Sequence, residues 1–225
     1  MVLAAGTPQT GAMSHRNYLL SFLFTTVYLQ PGLGQIRVRL YDYAGVNPET
    51  LRKAKVYARE TLSAAGVEVE WADCSSDPAS SKSETCRLPI TTLDLQVRIV
   101  NRYMAKRVPT SRFCLGYAIL GAQFPSIASV FHHRAIDLEE KRLTHRASIL
   151  AAMIAHEIGH LLLNEHNHSR QGIMRGVWDD GDLRIIAKGR MSFLRKEAER
   201  LAASVAQRQD FLTRHCGTRD CNKQP

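Results

Sequence analysis

The sequence predicts an α+β fold: a twisted, mixed five-stranded sheet, one strand antiparallel, packed on a buried histidine-bearing helix and a C-terminal helix. Three observations carry this. A strand–helix–strand unit opens the patterned part of the chain. Three more strand-like runs follow, two of them joined by a short connection. A helix that is apolar all round comes after them.

Ile36 to Tyr43 alternates, with Ile36, Val38 and Leu40 on one side and Arg37, Arg39 and Tyr41 on the other, which is strand periodicity. Asn47-Pro48-Glu49 reads as a helix start, with Asn47 as cap and Pro48 in the first turn. This helix is expected to run to about Ala65 and stop at Gly66. Val67 to Trp71 is a second strand, parallel to the first across the helical crossover. Ala72 to Pro89 is polar and reads as a loop. Asp94 to Val100, Leu115 to Leu120 and Ile127 to Phe131 are the remaining strands. The link from Gly121 to Ser126 is too short for a parallel crossover, so one of the last two strands must be antiparallel. Thr144 is the expected cap of a helix ending near Leu163. Its segment Ile149 to Ala155 is apolar on every side, which predicts burial. A single amphipathic helix is expected from Asp182 to about Gln207.

Composition bounds the function. The chain has 225 residues, 44% apolar and 23% charged, near globular averages. The net charge of +9 would suit an anionic polymer. Yet Lys and Arg are scattered without a run of five, and no nucleic-acid motif accompanies them, so no specific nucleic-acid partner is expected. Adhesion to anionic polymers, with the histidines incidental, is the bland alternative.

Residues 1–35 carry one charged side chain, Arg16, then an apolar stretch from Tyr18 to Leu29, then Pro31-Gly32-Leu33-Gly34-Gln35. That is the order of a secretory signal, with cleavage expected near Gly34 or Gln35. An uncleaved anchor is the alternative, but the run falls short of the ~20 residues a bilayer needs. A secreted, periplasmic or extracellular protein is expected, with no membrane span after cleavage. The mature domain is assigned to 36–214 and a polar tail to 215–225. No CxxC pair occurs among the five cysteines. In an exported chain Cys74–Cys86 and Cys216–Cys221 are the guessed disulfides, which leaves Cys114 over.

The chemistry lies in His156-Glu157-Ile158-Gly159-His160. Two histidines four apart share one helix face and can reach one zinc ion. Glu157 stands beside the first of them, placed to take a proton from water that attacks a peptide carbonyl. A catalytic zinc needs a third ligand. His166 is the preferred candidate and His168 the alternative. Either requires the helix to stop after Leu163, and Asn164 tolerates the left-handed turn that would stop it. No acidic loop has the density that calcium demands.

These residues resemble the metzincin clan of zinc peptidases, whose pattern is HExxHxxGxxH followed by a Met-containing turn. The likeness spans Ile36 to about Gln207, with its motifs in 156–174. It implies a zinc-dependent endopeptidase with one catalytic Zn2+, acting on peptide or protein substrates. A monomer is expected. The likeness also implies that Met174 is the methionine beneath the metal. The antiparallel strand would lie at the sheet edge, with Gly116, Tyr117 and Ala118 lining the substrate side. Trp178-Asp179-Asp180 would help to wall the pocket beyond the scissile bond. There are departures. Leu163 stands where the clan has glycine, which displaces the turn by one residue and keeps His166 and His168 both open. No tyrosine follows Tyr117, which is more like the matrixin branch. Arg112-Phe113-Cys114-Leu115 is a poor match to a matrixin cysteine switch. His132, His133 and His145 read as surface or loop histidines, with a place around the zinc as the alternative. A zinc-bound but catalytically silent peptide- or surface-binding module is the competing function.

Overall fold

The structure, a computed structural model, describes residues 34–75, 81, 83–108, 111, 114–121, 126–141 and 143–216. The signal-like segment up to residue 33, residue 221 of the guessed second disulfide and most of the polar tail lie outside the described residues.

Five strands form one sheet in the order β2-β1-β3-β5-β4. They are β1 (Gly34–Asp42), β2 (Val67–Cys74), β3 (Asp94–Val100), β4 (Gly116–Ile119) and β5 (Ser126–Phe131). β1, β2, β3 and β5 are parallel, while β4 runs antiparallel to β5 at the edge, with Ala118 opposite Ala128. The mixed sheet and its antiparallel edge are therefore as the sequence predicts, with strand ends moved by a few residues at most.

Helix α1 (Pro48–Ser63) starts where expected. The Asn47 Oδ1 accepts the amide hydrogens of Glu49 and Thr50 at 3.0 and 3.2 Å. Its buried stripe, Ala54, Ala58 and Leu62, packs against α4 (Arg146–Leu163). β2 continues three residues past its predicted end, to Cys74, which is bonded to Cys86. The first guessed disulfide is thus present. The outward face of β1 is not simply solvated. Arg39 is buried, ion-paired to Asp94 at 2.9 Å, and donates to the carbonyls of Leu88 and Pro89 at 2.8 and 2.9 Å. The polar loop after β2 therefore covers that face.

Three expectations about helices are corrected. Thr144 does not cap α4: its hydroxyl is buried without a partner among the described residues, and His145 holds the cap position. The opening amide of Arg146 donates instead to the Glu139 carboxylate at 2.8 Å. Glu139 ends α3 (His132–Glu139), a helix that begins at two histidines expected on a surface or loop. The single C-terminal helix is two, α5 (Asp180–Ala187) and α6 (Arg195–Cys216). Gly189 takes a left-handed φ of 62° between them, and Ser192 there gives its carbonyl to the Ile173 amide at 2.9 Å. A continuous helix could not make that turn. α5 also starts earlier than Asp182, because Asp179 and Asp182 cap each other's backbone. A one-turn helix, α2 (Arg102–Ala105), went unpredicted.

Among the described residues α4 is the helix long and apolar enough to cross a membrane. Here 83% of it is buried inside the protein, between α1, α3 and the sheet. That burial makes it the centre of the core, as its all-round apolar sequence predicts.

Candidate metal centre

α4 delivers three of the predicted residues. One helical turn separates His156 from His160, and both are buried, with their ε2 nitrogens 3.0 Å apart. Each ring has its δ1 nitrogen against a backbone carbonyl: His156 on Ile173 O at 2.7 Å, His160 on Glu165 O at 2.8 Å. A carbonyl only accepts, so both δ1 nitrogens carry the proton, and both ε2 nitrogens present lone pairs.

The third histidine arrives because the helix stops. Asn164 adopts φ 52° and ψ 42°, the left-handed cap that its amide side chain tolerates. Among the described residues it is the sole non-glycine with positive φ. The chain then turns back, and Ser169 pairs with the Met174 carbonyl at 2.8 Å. This brings His168 in, its Nε2 3.2 Å from that of His160. Gly176 backs the ring: a β-carbon there would stand 3.0 Å from His168 Cγ. The ligand atoms of His156, His160 and His168 all lie within 4.8 Å of one another. His166, the preferred third residue, is not in that group. Its ring centre is 6.4 Å from that of His160. The turn at Asn164, later than the clan's glycine, carries the chain two residues further before a side chain can face back.

The donor set fits a metal. Two lone pairs facing each other at 3.0 Å repel unless a cation lies between them. A tetrahedral zinc with Zn–N bonds of ~2.0–2.1 Å sets its nitrogens roughly 3.3 Å apart. Burial, then the neighbouring imidazoles, pushes His156 down to about 3, so this ring stays neutral. Burial is also the leading cause of the lowered values of His160 and His168.

Glu157 is buried beside the cluster, and among the described residues its Oε2 has no hydrogen-bond partner. Burial pushes its carboxyl up to about 8. Space for it is made by β4. A β-carbon at Gly116 would stand 2.6 Å from Glu157 Oε1 and run into the Ser129 carbonyl oxygen. A cleft of about 210 Å³ is lined by β4, the histidines, Glu157 and Gly176. Gly116, Tyr117 and Ala118 all border it, as does Cys114, which is in no disulfide among the described residues. Ala118 is 8% exposed, and Tyr117 leans on Phe131 with ring centres 5.9 Å apart.

Met174 lies buried beneath the helix, against Gly159. A β-carbon at Gly159 would meet its sulfur at 2.5 Å and the Phe193 ring at 2.9 Å. Neither carbonyl that orients the histidines, at Ile173 and Glu165, carried a signal in the sequence, because any residue supplies one. Gly159 did, as a glycine inside an otherwise apolar helix. Trp178 is buried with its ring edge-on to His156 at 6.1 Å, so it supports a histidine and does not line the cleft. Asp179 caps α5 and Asp180 pairs with Lys141. His132, His133 and His145 stay outside the cluster.

No protein-family model matches the chain, and no curated protein matches it. Among solved structures it is similar to archaemetzincin from Methanopyrus kandleri, with 18% sequence identity and a TM-score of 0.48. The match covers 79% of this chain and 99% of that one.

Proposed function

We propose that the chain is an exported zinc-dependent endopeptidase that cleaves extended peptide segments as a monomer. One observation carries the proposal: two buried imidazoles and the exposed imidazole of His168 converge through their ε2 nitrogens beside the buried Glu157 carboxyl, whose Oε2 has no hydrogen-bond partner among the described residues. When bound, zinc supplies a Lewis acid that acidifies water and polarises a carbonyl. His156, His160 and His168 would hold it. Glu157 takes the proton from attacking water and passes it to the leaving amine. The outer edge of β4 offers its backbone to an extended substrate. A matrixin-like affiliation rests on the absence of tyrosine after Tyr117 and on nothing stronger.

A silent zinc module that merely binds peptides would need the same histidines but not Glu157. A buried carboxyl oxygen without a hydrogen-bond partner among the described residues, as Glu157 Oε2 is, is costly to keep, which favours the enzyme. The test is cleavage of a mixed peptide library by the full chain, with and without a zinc chelator, beside Glu157→Ala. Chelator-sensitive cutting that Glu157→Ala abolishes is expected. One zinc bound per chain with no cutting in any condition moves the assignment to the silent module.

A further inference from the structure

The segment that carries His168 gains little from burial. Asn164, His166, Asn167 and His168 are all exposed. An exposed loop has to be ordered before it can offer a ligand, and that ordering costs affinity unless something else supplies it. Two residues three apart on α6, hence on one helix face, reach this loop at both ends. Arg200 donates through both terminal nitrogens to the Glu165 carboxylate, each at 2.9 Å. Glu165 is the residue whose backbone carbonyl orients His160. Glu197 accepts the hydroxyl hydrogen of Ser169, the residue after His168. The second Glu197 oxygen accepts the Leu194 amide at 2.7 Å, which fixes the carboxylate at the start of α6.

We propose that Glu197 and Arg200 are positioning residues for the metal centre, holding Ser169 and Glu165 so that His168 and His160 keep their aim. The proposal rests on the zinc reading given above. The two arms differ in strength. Glu197 is 7% exposed, whereas the Arg200 and Glu165 side chains are 53% and 27% exposed. Solvent screens the second pair, so the Ser169–Glu197 arm dominates. An outer partner that aims a metal ligand typically changes metal affinity by ~10–100-fold.

The experiment measures Co2+ and Zn2+ affinity of the full chain by chelator competition, with the visible Co2+ spectrum as a readout of ligand geometry. Ser169→Ala and Arg200→Ala are compared with wild type, with His168→Ala and with Arg195→Ala, whose recorded partner Glu199 lies on the same helix. Ser169→Ala removes one hydroxyl and leaves the Leu194 contact, so the fold survives, and thermal unfolding of the metal-free proteins checks that it does. Expected are a ~10–100-fold weaker affinity and an altered Co2+ spectrum in Ser169→Ala, a smaller loss in Arg200→Ala, and no change in Arg195→Ala. Wild-type affinity and spectrum in both Ser169→Ala and Arg200→Ala, while His168→Ala loses the ion, would overturn the positioning role and leave the zinc centre standing. No metal bound by wild type would overturn both.

Discussion

Gly116 on the edge strand lies so close to Glu157 on the buried helix that a single methyl group would stand 2.6 Å from the carboxylate oxygen. Gly116→Ala must therefore displace either Glu157 or the strand, whose own neighbour, the Ser129 carbonyl, blocks the other way out. Displacements of about 1 Å in catalytic groups cost roughly 100-fold. The expected outcome is a fall of that order in kcat with zinc content unchanged, checked by single-turnover kinetics and metal analysis. Unaltered kcat would mean that the carboxylate relaxes freely.

His168 and His166 can be told apart by metal content. His168→Ala is expected to reduce bound zinc from one per chain to nearly none under chelator challenge, a loss exceeding the ~10–100-fold of an outer partner. His166→Ala is expected to retain its zinc. The reverse result would mean that the loop after Asn164 closes differently when metal is present.

The Arg39–Asp94 pair sets an acid limit on stability. Burial raises the Asp94 carboxyl, but hydrogen bonds from Thr91 and Arg39, with the Arg39 charge, outweigh burial and leave it below its ordinary value. A lowered folded-state value contributes stability above the unfolded pKa of ~3.9, and loses it as pH falls through the lower folded value. Asp94→Asn is expected to cost about 3 kcal/mol near neutral pH, because it leaves Arg39 buried with carbonyl partners only. Denaturant melts from pH 7 to 2 should show the two proteins converging below about pH 4. Parallel curves down to pH 2 would remove Asp94 from the acid transition.

Gly159→Ala pits two effects against each other. Alanine raises helix propensity by up to ~1 kcal/mol. Against this, its methyl meets the Met174 sulfur and the Phe193 ring, and overpacking costs ~1–3 kcal/mol. A net loss of about 1 kcal/mol is expected in thermal unfolding, and Gly159→Ala/Met174→Ala should recover the overpacking part. A stabilised single variant would show that Met174 moves without cost.

Much of this was legible in the residues. The alternation in β1 and the apolar run of α4 announce their elements because burial imposes a period, or abolishes one. The pair His156 and His160 is local, four apart on one helix, so spacing alone defines it. His168 was less legible because its place depends on where a left-handed turn falls, and one residue of shift at Asn164 exchanges one histidine for another. The break at Gly189 was hidden because it answers a distant partner, the Ile173 amide. Glu139 at the start of α4 was hidden likewise: a cap supplied from another helix leaves no local signature.

The open side of β4 has a consequence beyond substrate. An unpaired strand edge accepts any extended chain, including the same edge of a second molecule, and such edges seed aggregation when long and flat. β4 keeps only four residues, Gly116–Ile119, with a glycine at its head. The shortness that keeps neighbouring molecules from zipping together would, under the proposed function, also limit how much peptide this edge could hold. Lengthening this strand to tighten its hold on peptides would trade solubility for affinity.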